Sequence, residues 1–203
     1  MKTGRFALVL FLSLVLAGCF VASFYPLYTS ADLHPDTLLA GEWFDGDSTL
    51  WKFDYITVQE KDKPSVTDST GYILTFREKG EEQSKSSMEI RVVRLDGNCF
   101  LDFFINEIKD ENYPDFFDLH TMAIHTFAMV TQKGDSLLLT WLGTEWIKEQ
   151  ARAHKLKVAF LERDDDILLT APTSDLQKFM VKCATIPDAW EKGTSFLLHR
   201  PSR

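Results

Sequence analysis

The sequence has few cysteines, and none stands in a pattern that binds metal. Three occur in 203 residues, at positions 19, 99 and 183, without a Cys-x-x-Cys pair or a histidine at zinc-ligand spacing. Nucleophile and phosphate-binding motifs are missing too, because the chain has no Gly-x-Ser-x-Gly, Ser-x-x-Lys, His-Glu-x-x-His or glycine-rich phosphate loop. We therefore expect no cofactor and no metal, and a protein that is not an enzyme.

Basic residues are in the minority. Lys and Arg together number 22 against 30 Asp and Glu, which gives a formal charge of −8. Affinity for nucleic acid depends mainly on cationic contacts with phosphates. Nucleic acid is therefore not expected as a partner.

A hydrophobic run long enough to span a bilayer is also missing. The apolar segment from Phe6 to Leu16 follows Lys2 and Arg5 and ends at small residues, whereas a membrane-spanning helix needs roughly 20 apolar residues. Positive residues, a short apolar run and small residues form the layout of a secretory signal peptide, here residues 1–18. Its removal moves the formal charge from −8 to −10 and leaves enough chain for one domain with a single core.

The end of this leader resembles the lipobox of bacterial lipoproteins. Leu16, Ala17, Gly18 and Cys19 carry the resemblance. In that family the cysteine thiol receives diacylglycerol, the peptide is cut before it, and the new amine is acylated with chains such as palmitate. The resemblance implies a lipid on Cys19 that attaches the mature chain to a membrane, since more than one acyl chain gives stable anchoring. An ordinary signal peptide with a chance cysteine, or an N-terminal anchor helix, remains open.

The resemblance also carries expectations about location. Phe20, where an Asp would favour retention in the inner membrane, implies transfer to the outer membrane of a host with two membranes, with the domain exported. Residues 19–37 contain two prolines and no clear period, so we interpret them as a lipidated N-terminus and tether, part of which packs on the domain. Residues 38–203 form the predicted domain.

Alternation of apolar and polar residues dominates this domain and predicts strands. In residues 50–58, for example, Trp51, Phe53 and Tyr55 share one face while Lys52 and Asp54 share the other. Further strands are predicted within 71–78, 88–95, 99–105, 125–131, 136–142, 157–162, 167–171 and 196–200, with hairpin turns at Asp96-Gly97-Asn98 and at residues 132–135. Since closure removes exposed edges, we expect a mainly β fold, an antiparallel up-and-down barrel.

Two segments have helical rather than alternating spacing. Leu176, Phe179, Met180 and Cys183 recur as one face of a helix, and Ser174 with Gln177 has the form of a capping box. In residues 144–154, Trp146, Ile147 and Ala151 share a face. These predict two short accessory helices.

The segment from Leu38 to Trp43, which opens the run of alternating strands, resembles the entry to the first strand of lipocalins and their calycin relatives. Gly41 and Trp43 carry this Gly-x-Trp likeness; in that family the tryptophan closes one end of the barrel beneath a ligand cavity. The resemblance implies a lipocalin-like barrel, from which the accessory helices depart. A small barrel either fills its interior with side chains or leaves a cavity, so the aromatic residues on the strands are candidates for binding a small apolar ligand or lipid: Trp43, Trp51, Phe53, Tyr55, Tyr72, Phe76 and Phe103, with Phe100 and Phe104 on neighbouring positions.

Three alternatives stay open at this stage. The domain could have a filled core and act as a structural or protein-interaction lipoprotein of the cell envelope, with an envelope protein as its partner. It could be a hydrolase in which His120 or His125 works with Asp115 or Asp118. Cys99 and Cys183 could pair, because export favours disulfides, or Cys183 could be a buried free thiol on its helix.

Overall fold

The structure of the protein is a computed structural model that describes residues 20–46, 49–59, 64–77, 87–105, 122–164 and 166–201. It is mainly β, as the alternation predicts. One sheet of 11 strands contains β1 (Ala22–Ser23), β2 (Gly41–Phe44), β3 (Leu50–Val58), β4 (Val66–Arg77), β5 (Ser87–Leu95), β6 (Asn98–Phe104), β7 (His125–Lys133), β8 (Ser136–Trp141), β9 (Phe160–Arg163), β10 (Asp166–Leu169) and β11 (Ser195–His199).

The strand pairings return to their starting point and so form a ring. Strands β2 to β8 pair in chain order, β11 pairs with β8, and β11 also pairs with β2 through His199 and Phe44. All of these pairings are antiparallel. A branch leaves the ring where β1 joins β7 to β10, which pairs with β9; the β1–β10 pairing is parallel.

Both predicted hairpin turns are confirmed. Asp96 and Gly97 have φ angles of 48° and 78°, the left-handed pair of conformations that a two-residue turn needs to match the strand twist. Gly134 has a φ of 60° in the turn between β7 and β8. Local turn chemistry therefore sets the register of both hairpins.

The two predicted helices are present, and a third follows them. Helix α1 spans Thr144–Arg152 and helix α2 spans Thr173–Ala184, with the predicted apolar faces buried. The expectation of two helices is wrong because Asp188–Glu191 forms a further helix, α3, whose four residues are too few to show a helical period.

The predicted capping box on α2 is also wrong. The helix begins after Pro172 and has no side-chain cap hydrogen bond. The amide of Gln177 instead donates to the backbone oxygen of Leu27 and to the carboxylate of Asp32, both at 3.0 Å. A long-range contact with the N-terminal segment has taken the place of the local one.

Buried side chains form two clusters on the two sides of the ring wall. Every strand of the ring contributes buried apolar residues to the cluster inside it, among them Tyr72, Leu74, Ile90 and Leu101. Outside it, Val93, Phe100 and Phe127 pack against the helices and the N-terminal segment. Successive residues of a strand point to opposite faces, so one wall of strands β5, β6 and β7 serves both clusters.

The N-terminal segment, interpreted from the sequence as a tether that partly packs on the domain, contributes buried residues to the second cluster. Leu27 is fully buried there, and the oxygen of Pro26 accepts a hydrogen bond of 2.8 Å from the hydroxyl of Thr173. Residues 21–28 are therefore held on the outer wall by strand pairing, burial and side-chain hydrogen bonds.

Gly193 allows the chain to return from α3 to β11 beside the end of β8. A Cβ atom built on this glycine would lie 1.9 Å from the backbone oxygen of Trp141. We expect Gly193→Ala to lower the free energy of unfolding by about 1–3 kcal/mol, because backbone must shift to admit the methyl group. Thermal unfolding measures this. Gly46→Ala is the control, since its Cβ meets nothing within 4 Å; equal stability of the two variants would contradict the clash.

Candidate functional site

The predicted lipidation site, Cys19, lies outside the described residues, which begin at its neighbour Phe20. The Phe20 ring packs edge-to-face on the indole of Trp141, with 5.2 Å between ring centroids, although 41% of the residue is exposed. Trp141 belongs to the cluster inside the ring. The first described residue therefore contacts the body of the domain.

A groove of about 650 Å³ opens beside Phe20. Its walls come from four places: the N-terminal residues around Ala22, Ile124 before β7, helix α1 at Ile147, and the β9–β10 hairpin at Leu161 and Leu168. Its volume falls in the range of small-molecule sites, about 300–1,000 Å³. Nothing in the sequence pattern indicated this groove, because its parts come from distant segments.

The aromatic residues predicted to bind a ligand come together inside the ring. All seven belong to or pack against the interior cluster. Tyr55 and Phe76 are partly buried, and the others are between 0% and 5% exposed: Trp43, Trp51, Phe53, Tyr72 and Phe103. The structure thus brings these side chains together in one cluster.

These side chains contact one another rather than an open space. Ring centroids are 4.7 Å apart for Trp51 and Phe76, 6.2 Å for Phe53 and Tyr72, and 5.1 Å for Tyr55 and Tyr72. Leu74, Ile90 and several other neighbours have no exposed surface, as expected where side chains fill the interior. Phe100 and Phe104 lie on the other side of the wall, Phe100 facing Trp190 and Phe104 stacked on His125.

The backbone before β2 crosses one end of the interior. The hydroxyls of Tyr55 and Tyr72 both donate to the backbone oxygen of Asp36. The carboxylate of Asp36 also accepts a hydrogen bond of 2.7 Å from the guanidinium of Arg94. These contacts hold the backbone around Asp36 over the interior side chains.

Trp43 of the Gly-x-Trp motif is held from two sides. Its indole N–H donates to the backbone oxygen of Leu39 at 2.7 Å, and the Arg200 guanidinium stacks 3.8 Å from its ring centroid. Arg200 also donates to the oxygen of Ala40 at 2.7 Å. A second pocket of about 850 Å³ lies here, between Trp43, Arg200 and the β7–β8 turn.

A buried carboxylate and histidine form the most unusual polar site of the described residues. Asp102 is 1% exposed and His125 is 7% exposed. Oδ1 of Asp102 lies 2.6 Å from Nδ1 of His125, and Oδ2 accepts a hydrogen bond of 2.7 Å from the backbone N–H of Leu27. Burial raises the pKa of Asp102, although the hydrogen bonds from His125 and Leu27 act in the opposite direction.

This pair bears on the hydrolase hypothesis. His125 lies opposite Ser23 in the β1–β7 pairing, but the Ser23 hydroxyl donates to the backbone oxygen of Tyr25 at 2.8 Å. The contacts of Asp102 join the N-terminal segment to strands β6 and β7. His120, Asp115 and Asp118 lie outside the described residues.

Asp102 was missed by sequence reasoning, although a signal was present. It interrupts the apolar run from Phe100 to Phe104. An acidic residue is rarely fully buried without a partner. The partner, the backbone of Leu27, is 75 residues away in sequence, so no local pattern could show it.

Cys99 and Cys183 are both free. Cys99 packs against the cluster inside the ring, whereas Cys183 belongs to the cluster outside it. Burial raises the pKa of Cys99, and it raises that of Cys183 to about 12. Both thiols are therefore protonated and weakly nucleophilic at neutral pH.

The described part of the chain contains no cluster of three or more His, Cys, Asp or Glu side chains arranged to bind a metal ion. Its helices are all too short or too polar to serve as membrane spans. Comparisons of the chain with models of protein families, with curated proteins and with solved structures find no match.

Proposed function

We propose that the protein is a lipoprotein of the cell envelope, attached to a membrane by acyl chains on Cys19, whose exported domain is a non-catalytic interaction module. The sequence of the leader carries the proposal: Lys2 and Arg5, the apolar run and Leu16-Ala17-Gly18-Cys19 occur in the required order. The contact of Phe20 with Trp141 supports it, because an anchor one residue away would hold the domain close to the membrane. Phe20 favours the outer membrane.

For the domain we propose a lipocalin-like barrel. The closed order of strand pairings supports it, as does the place of Gly41 and Trp43 at the start of the ring's first strand. The helices on the outer wall are additions to this plan.

The packing favours an interaction role over a ligand held inside the ring. Phe53, Tyr72 and Leu101 are at most 1% exposed, so an apolar ligand would first have to displace close-packed side chains. A filled interior supports the alternative in which the outer surface contacts a partner protein of the envelope. The aromatic residues then act as the core, and ligand binding by them is the second candidate.

Mass spectrometry of the mature protein tests the lipid anchor. We expect the chain to begin at Cys19 and to carry a diacylglycerol on the thiol and an acyl group on the new amine. Peptides containing Cys99, which is partly buried, and Cys183, which is buried, are internal controls that should carry no lipid. An intact Met1, or an unmodified Cys19, would refute the proposal.

A further inference from the structure

We infer that the groove beside Phe20 holds one of the acyl chains carried by Cys19. This inference rests on the proposed function, because it needs the lipid. It goes further by giving the lipid a site on the protein. The groove lies between the N-terminal residues, helix α1 and the β9–β10 hairpin.

The groove includes apolar side chains on one face of the sheet that are partly exposed. Ala22 of β1 is in register with Leu168 of β10, which is in register with Leu161 of β9, so these side chains point to the same side. Leu161 is 62% exposed and Ile124, which also lines the groove, is 41% exposed. Contiguous exposed apolar surface in a protein marks a place where something binds.

The base and the rim of the groove suit a hydrocarbon chain with a polar end. Ile147 and Ile167 also line the groove; they are 1% and 7% exposed and belong to the cluster outside the ring, so the groove borders that cluster at the edge of β10. Lys148, Arg163 and Asp166 stand among the lining residues. The methylene groups can pack on the apolar base while the ester groups stay beside polar side chains and water.

The position of Cys19 next to the groove favours its own acyl chains over free lipid as the occupant. Cys19 is bonded to Phe20, itself a lining residue, and adjacent Cα atoms are about 3.8 Å apart. A ligand tethered this closely has an effective concentration on the order of millimolar at its site. A free lipid would need high affinity to compete, whereas the chain on Cys19 needs only a modest one.

Photo-cross-linking of the mature lipoprotein tests this. Cells are supplied with a fatty acid that carries a diazirine group, the processed protein is irradiated in its membrane, and the peptides are identified by mass spectrometry. We expect the acyl chains on Cys19 to form adducts within 144–148 and 160–168 of the same molecule, the segments that supply the groove walls.

Leu161→Glu and Val66→Glu form a matched pair for this experiment. Leu161 lines the groove, whereas Val66, at the start of β4, does not, and the two are 62% and 63% exposed. We expect Leu161→Glu to lower the yield of groove adducts about tenfold, since it places a charge beside hydrocarbon. Val66→Glu should leave the yield unchanged, and thermal unfolding verifies that both variants fold.

The outcomes separate the inference from the proposed function. A lipidated Cys19 without groove adducts would overturn the inference alone. A second arm uses vesicles that contain a diazirine-labelled phospholipid: groove adducts from that phospholipid, with none from Cys19, would mean that the bilayer occupies the groove and would also overturn it. A Cys19 without lipid would refute the proposed function and the inference together.

Discussion

Replacing Asp102 by Ala is expected to lower the free energy of unfolding by about 2–6 kcal/mol, because two buried donors lose their acceptor and each unsatisfied group costs about 1–3 kcal/mol. The carboxylate accepts hydrogen bonds at two points, from His125 and from the backbone N–H of Leu27. Alanine leaves both without their partner in a site where Asp102 is 1% exposed. Urea unfolding followed by fluorescence measures the loss.

The same change should release the N-terminal segment before the rest of the domain unfolds. Leu27 is fully buried, but its backbone N–H depends on Asp102. Hydrogen exchange of the Leu27 amide should therefore become faster than that of amides in the ring. Exchange at this amide distinguishes the loss of the Asp102–Leu27 hydrogen bond from a general loss of packing.

Asp102→Asn is the matched control for this prediction. The amide oxygen can still accept from Leu27, and the amide nitrogen can donate to Nδ1 of His125 in its other tautomer. Because burial raises the pKa of Asp102, a neutral side chain of the same shape also avoids the cost of a buried charge. Asp102→Asn should thus retain most of the free energy of unfolding. If Asp102→Ala is as stable as the wild type, the contacts of Asp102 do not stabilise the fold.

Phe53→Ala should be similarly destabilising, by about 3–5 kcal/mol, because it opens a cavity in a filled interior. Phe53 is 1% exposed and contacts Tyr72 across the β3–β4 pairing. Val58→Ala on the same strand is the control: Val58 is 47% exposed, so the change should stay within about 0.5 kcal/mol.

This variant also addresses the question of a ligand inside the ring. A large apolar cavity left by a deleted side chain can bind a small apolar molecule such as benzene. We expect benzene to raise the melting temperature of Phe53→Ala and to leave the wild type unchanged. Stabilisation of the wild type by benzene would instead indicate a cavity in the native interior and favour the ligand hypothesis.

Strand β3 could be predicted because its pattern is local. The expectation for residues 50–58 matches β3 residue for residue, since alternation from Trp51 to Tyr55 and polar flanks mark the strand. Asp96-Gly97 fixed the β5–β6 hairpin for the same reason, because both residues tolerate the positive φ angles that the turn requires. The expectation within 71–78 misses the first five residues of β4, which begins at Val66.

The remaining elements depend on contacts between distant residues. Strand β1 has two residues, too few for any period, and it exists because β7 and β10 supply its partners. The ring closes between β2 and β11 through one residue pair. Gln177, which the sequence predicted to cap α2, is a further example, because it instead binds residues about 150 positions earlier in the chain.

The candidate site was also only partly predictable from the sequence. Period-two alternation predicted that Trp51, Phe53 and Tyr55 share one face, and all three belong to or pack against the interior cluster, but alternation carries no information on whether that face encloses space. The groove needs the N-terminal residues, α1 and the β9–β10 hairpin at once, and Asp102 needs Leu27. Such sites arise only when the chain has folded.

Strand β1 has a mechanical consequence. A force applied at the amino end enters the domain through Ala22 and Ser23, which join β7 on one side and β10 on the other. Since both residues lie before Leu27 in the chain, their backbone hydrogen bonds take the load first, and the contact with Asp102 takes it only when they have broken. The domain would thus yield to tension in two successive steps.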